Sequence, residues 1–222
     1  MSEKQSYRST LGTSQLPPKR GWRARLFAKT MARAGDVHDA LIAPYKRRLL
    51  SELHGDVLEI GPGAGANFEY FPTGLHWIGV EPNPYMHSYL TESAAAHGQA
   101  IDLRTGYTEA LPIDDESMDA VVSTLVLCSV HDLDASLAEI RRVLRPGGKF
   151  VFIEHVAAQR GTGLRWMQNA IRPLWSFFAD GCRVNREIWR HIEAAGFRHV
   201  EIEHFDVSVP IAKPHIAGYA LK

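Results

Sequence analysis

Cysteine is scarce in this chain, with two thiols in 222 residues. Cys128 and Cys182 lie far apart in the sequence, so no disulfide framework is on offer, and reduced thiols in a cytoplasmic protein are expected. Long apolar runs are missing as well. No stretch reaches the roughly 18 or more apolar residues that a membrane span needs, and no uninterrupted apolar segment follows the first basic residues as in a secretory signal. Net charge is also absent: 25 Lys and Arg balance 25 Asp and Glu, which removes any global pull toward nucleic acid, and no nucleic-acid partner is expected. The 11 histidines are scattered, without a His-x-x-x-His pair and an acid on one helix face, so no metal site is expected.

What charge there is lies unevenly. Between Met1 and Gly35 stand Lys4, Arg8, Lys19, Arg20, Arg23, Arg25, Lys29 and Arg33 against Glu3 alone. Residues 1–20 are polar, contain Pro17-Pro18 and show no steady period, which predicts a flexible basic tail. From Trp22 the pattern changes: Trp22, Leu26, Phe27, Met31 and Ala34 share one helical face with basic residues opposite. Such a helix either packs over the domain and its ligand or makes peripheral contact with an anionic membrane through residues 22–34. A second helix is predicted over Asp36–Leu53, so that residues 21–54 form N-terminal helices covering the site. One domain fills the remainder, residues 55–222.

That domain is organised around Val57-Leu58-Glu59-Ile60-Gly61-Pro62-Gly63-Ala64-Gly65-Ala66-Asn67, an apolar strand running into a glycine turn. Glycines there let the backbone turn tightly and approach a ligand without a Cβ in the way. The next apolar run, Leu75 to Val80, ends in Glu81. An acid about 20 residues beyond such glycines stands where ribose hydroxyls are held, which points to an adenosine-containing ligand. Short helices are predicted over Ala66–Phe71 and from Pro84 to His97. Further strands follow at Ala100–Arg104, Ala120–Leu125 and Lys149–Val156, the second of these apolar on both faces like a central parallel strand. Asp134 is read as the cap of a helix ending at Arg145-Pro146-Gly147-Gly148, and Asn185 as the cap of one ending at Gly196. Residues 161–181 form an aromatic-rich cap insertion, expected with the Trp22 helix to roof the acceptor pocket. His199–Val207 and Ile216–Leu221 are joined too closely for a crossover helix and predict an antiparallel pair. The fold expected is α/β, a Rossmann-like doubly wound sheet of about seven strands with an antiparallel C-terminal strand pair.

This order, with Glu59-Ile60-Gly61-Pro62-Gly63-Ala64-Gly65, Glu81, Glu109-Ala110-Leu111-Pro112, Met118-Asp119-Ala120-Val121-Val122 and Leu144-Arg145-Pro146-Gly147-Gly148 at matching spacing, resembles a class I S-adenosylmethionine-dependent methyltransferase. Leu125-Val126-Leu127-Cys128-Ser129-Val130, Glu154-His155-Val156, Asp180-Gly181-Cys182, Asn185-Arg186-Glu187 and Lys213 to Lys222 are similar to the alkyl thiol S-methyltransferases within it. The resemblance implies S-adenosylmethionine as cofactor, with Gly61, Gly63 and Gly65 beneath its methionine part and Glu81 on its ribose. It also implies Tyr107 and Thr108 beside adenine, Ser123 and Thr124 facing the methionine, and Asn67 at the carboxylate. Glu59, Pro82, Asn83, Glu109 and Leu125 complete the cofactor set. Tyr107 as a core aromatic is the other reading. Eukaryotic members carry an N-terminal hydrophobic anchor. Only the basic amphipathic segment stands in its place here, so a cytoplasmic protein of bacterial type is expected.

The acceptor expected is a small, partly apolar molecule, a thiol first and otherwise an O- or N-acceptor. A thiol needs least help, since its ordinary pKa of about 8.5 leaves a few per cent thiolate near neutrality. Where a base is required, His131 and His155 follow strand ends on the ligand side. Cys128, Ser129, Trp166, Trp175, Cys182 and Arg186 are the substrate-binding candidates, and Cys128 as inert core is the competing reading.

Overall fold

The computed structural model describes residues 17–222, the side chains of residues 33–37 excepted. The predicted tail falls mostly on residues 1–16, outside the described residues. Its last part is not loose: Lys19 N–H donates to the Pro82 carbonyl (2.9 Å) and the Tyr107 hydroxyl donates to the Pro17 carbonyl (3.0 Å).

The strands are β1 (Asp56–Ile60), β2 (His76–Val80), β3 (Ile101–Arg104), β4 (Met118–Thr124), β5 (Leu144–His155), β6 (His199–Asp206) and β7 (Pro214–Leu221). They form one sheet in the order β3-β2-β1-β4-β5-β7-β6. The first five pair in parallel, and β7 inserts antiparallel between β5 and β6, as the short terminal connection requires. Strand order reverses between β1 and β4, which opens a crevice at their carboxyl ends.

Both faces of the sheet are covered, and alternation along the strands shows how. Leu58, Ile60, Val121, Phe150 and Phe152 pack with α3 (Leu133–Val143) and α5 (Ile188–Ala194). Val57, Trp77, Ala120, Val122 and Val151 point the other way, against α1 (Trp22–Leu50) and α2 (His87–Ala96). The remaining helix, α4 (Gly163–Phe178), occupies the predicted aromatic insertion.

Several boundaries differ from expectation. The two predicted N-terminal helices are one: α1 runs 29 residues through Gly35, a break cost of only about 1 kcal/mol that packing of its second half outweighs. Residues 66–71 make only a 3-10 turn, Phe68–Tyr70, between Gly65 at φ 87° and Pro72. The second crossover helix begins at His87, because Asn83-Pro84 form a turn closed by Met86 N–H on the Asn83 carbonyl. Asp132, not Asp134, caps α3, its carboxylate accepting from Ala135 N–H. Asn185 caps nothing; its amide donates to Asn169, and α5 starts three residues later. Arg145-Pro146-Gly147-Gly148 belongs to β5, where the register shifts between Leu144 and Lys149. Among the described residues no helix is long and apolar enough to cross a membrane.

Candidate active site

A cavity of about 400 Å³ lies at the crevice, within the range of small-molecule sites. Gly61 and Gly63, both at φ 57°, turn the chain beneath it. A Cβ on Gly61 would meet Val126 at 2.8 Å, whereas one on Gly63 would meet nothing within 4 Å, so Gly63 leaves open space against the backbone. Glu81 follows β2 and faces the same turn. Its Oε2 accepts from Gly63 N–H (3.1 Å) and its Oε1 from Asn83 N–H (2.8 Å), fixing the carboxylate while each oxygen keeps a lone pair. Burial raises its pKa, opposed by those two backbone donors.

Glu59 and Asn67 stand behind the turn. Glu59 accepts from Asn67 Nδ2 (2.7 Å) and Trp77 Nε1 (3.0 Å); burial pushes its pKa up to about 7 against these bonds and the Lys46 ammonium. Asn67 Nδ2 also donates to Thr124 Oγ1 (3.0 Å), so both amide hydrogens are spent and its buried Oδ1 has no partner. Both donors of the Asn67 amide are thus turned onto Glu59 and Thr124, away from the predicted contact with a carboxylate.

The other wall comes from α1. Phe27, Met31, His38, Asp39, Ile42 and Lys46 line the cavity, and sequence reading missed the last four of these. Lys46 is 1% exposed, paired with Asp39 and donating to the Ala66 carbonyl (3.2 Å). A lysine in an amphipathic stripe gives no sign of such burial. His38 Nε2 lies 3.1 Å from His215 Nε2, and His215 Nδ1 lies 3.2 Å from the Lys213 carbonyl. A carbonyl only accepts, so His215 carries its proton on Nδ1, and burial lowers its pKa to about 4, keeping it neutral. His215 Nε2 is then a lone pair, His38 Nε2–H is the donor, and His38 Nδ1 is left as a bare base. Burial first, then nearby His155 and Lys46, lowers the His38 pKa and keeps it neutral too.

Of the predicted residues, Glu59, Gly61, Gly63, Asn67, Glu81, Pro82, Tyr107, Thr108, Glu109, Thr124, Leu125, Ser129 and His131 line the cavity. Leu125, at φ 60°, turns the chain after β4, and buried Glu154 holds that turn by accepting from Val126 and Leu127 N–H. Ser123 points away, its hydroxyl donating to Glu154 (2.6 Å). Gly65 and Asn83 lie outside the lining: Gly65 packs on Phe68, and Asn83 donates to the Ala24 carbonyl (3.0 Å).

The predicted acceptor set mostly falls elsewhere. Trp166 is 74% exposed on the outside of α4. Arg186 is spent on the Leu127 and Val130 carbonyls, and Trp175 Nε1 donates to Cys182 (3.2 Å). Cys128, Cys182 and His155 meet one another behind the cavity wall, with His155 Nε2 3.0 Å from Cys182 Sγ. Hydrogen bonding from Cys182 holds the Cys128 thiol well below its ordinary pKa.

Residues 58–152 match the methyltransferase domain family. Human thiol S-methyltransferase TMT1A is 38% identical over 84% of this chain and 82% of its own. Rat thiol S-methyltransferase TMT1B is 41% identical over 75% of this chain and 70% of its own. The chain belongs to the thiol S-methyltransferase family. A solved S-adenosylmethionine-dependent methyltransferase from Aquifex aeolicus shares the Rossmann-like fold, with a TM-score of 0.62 at 17% identity over 89% of this chain and 97% of its own. This member of the thiol S-methyltransferase family is thus a methyltransferase, and family and fold imply S-adenosylmethionine as its methyl donor.

Proposed function

We propose that the protein methylates the sulfur of a small apolar thiol. The observation that supports this best is the mixed lining of one cavity, where the glycine turn and Glu81 share space with Phe27, Met31, Ile42, Val126, Val130 and the neutral base His38. Glu81 takes the ribose hydroxyls, Gly61 and Gly63 pass beneath the donor, Tyr107 and Thr108 border adenine, and Asn67 stands behind the methionine part. Bound there, S-adenosylmethionine supplies an electrophilic methyl group on a sulfonium. The apolar wall seats the acceptor and excludes water, and His38 Nδ1 accepts the thiol proton while Nε2–H stays on His215. His131, with its side chain 60% exposed, is the competing base at the cavity edge.

S-adenosylhomocysteine release with a panel of thiols, phenols and amines tests this reading. Thiols alone are expected to turn over, and release with phenols or amines alone overturns it. His38→Ala should cost about 10²-fold or more with weakly acidic thiols and less with thiols already ionised; a loss confined to His131→Ala transfers the proton to His131.

For location we propose peripheral docking on an anionic bilayer. All the exposed large apolar side chains among the described residues except Tyr85 lie in residues 22–31 or 166–178. Exposed Arg23, Arg25, Lys29 and Arg172 accompany them. The two segments abut, with the Arg23 guanidinium 3.9 Å above the Phe177 ring and Lys19 paired with Asp180 (2.5 Å).

A further inference from the structure

Cys128 follows β4, His155 ends β5 and Cys182 follows α4, so the fold gathers them from three separate places. One ligand atom from each lies within 4.8 Å of the other two, and all three residues are buried. Both thiols are free. Two further polar atoms at this place are buried without partners: His155 Nδ1 and Glu154 Oε2. Apolar side chains would fill such a volume at less cost than a histidine and two thiols.

We propose that Cys128, His155 and Cys182 form a zinc site. Two sulfurs and an imidazole are a donor set suited to Zn²⁺, and three protein ligands leave a fourth position open. In a tetrahedral site, bonds of about 2.3 Å to sulfur and 2.0–2.1 Å to nitrogen set ligand atoms about 3.5–3.8 Å apart, so the observed cluster needs shifts of an ångström or less. Both sulfurs bind as thiolates, the protons they and His155 Nε2 still carry pass to solvent, and His155 coordinates through Nε2 with its remaining proton on Nδ1. No electron is transferred. The predicted absence of metal rested on sequence spacing, which cannot show ligands assembled from three connections.

Position gives the ion a purpose. Cys182 is joined to α4 through Trp175 Nε1 and stands beside Gly181 and Asp180, both at positive φ. His155 belongs to the sheet, Cys128 lies in the turn after β4, and Ser129, whose hydroxyl is 3.5 Å from Cys128 Sγ, lines the cavity. Zinc there fastens the α4 segment to the strands that hold the active site, whatever the methyl acceptor.

The test is metal uptake by the full chain, reduced and stripped with a chelator, using Zn²⁺ against a chromophoric competitor and Co²⁺ as a spectroscopic probe. One ion per chain is expected, with thiolate-to-cobalt charge transfer, tetrahedral cobalt bands and a higher melting temperature on adding zinc. Cys182→Ser should weaken zinc by at least about 100-fold, and Trp175→Phe by about 10-fold with the charge-transfer band retained. A reduced wild-type chain without that band, or zinc affinity unchanged in Cys182→Ser, overturns the site. So does a Cys128–Cys182 disulfide as purified that gives no zinc uptake after reduction.

Discussion

Two helices, α3 and α4, carry similar amphipathic patterns and use them in opposite ways. In α3 the apolar stripe is the inside: Leu133, Leu137, Ile140 and Val143 are buried against the sheet. In α4 the sole buried residue is Gln168, while Trp166, Leu174, Phe177 and Phe178 are exposed. Gln168 accepts from Ala158 N–H (2.8 Å) and donates to the Ile211 carbonyl (3.0 Å). One helix is held by area and the other by a few hydrogen bonds and Trp175 on the core, which leaves the outer apolar face of α4 available for a bilayer. An amphipathic pattern thus tells that a helix has a greasy side without telling what meets it.

Substitutions can break this contrast. Ile140→Ala removes fully buried methyl groups from the core and should cost about 2–5 kcal/mol in urea unfolding. A cost near zero would mean that α3, too, is held by something other than area. Gln168→Leu keeps bulk but strands the Ala158 N–H and Ile211 carbonyl, so about 1–3 kcal/mol is expected, read as a shift in urea midpoint. Trp166→Ser with Phe178→Ser should change stability by no more than about 0.5 kcal/mol, since both side chains are already in water. The same pair should abolish flotation with anionic vesicles, and retained flotation removes α4 from the docking face.

The sheet was legible because its signals are local. Strand, glycine turn and acid recur within a few tens of residues, and burial of a parallel strand writes itself as an apolar run such as Ala120 to Val122. Gly61, Gly63 and Glu81 were found by that route, and they line the cavity. His38 and Lys46 were not, because their roles depend on α1 folding back over the sheet and on partners such as His215, 177 residues away from His38. Cys128, Cys182 and His155 were each noticed singly. Their meeting is a fact of topology, set by where β4, β5 and α4 end, and no spacing in the chain encodes it. Trp166 misled for the opposite reason: aromatic character marks a surface that something covers, and the cavity was only one candidate cover.

The length of α1 has a mechanical consequence. At 29 residues it is a rod of about 43 Å, with Trp22 and Leu26 in solvent at one end and Ile42 and Leu50 locked in the core at the other. Phe27 and Met31 roof the cavity from the outer arm, which Asn83 holds at the Ala24 carbonyl, and His38 sits between arm and anchor. Lifting the roof means parting Ala24 from Asn83 and either bending the rod or drawing His38 off His215. Admission of an acceptor and the readiness of the proposed base are in this way geared to a single part.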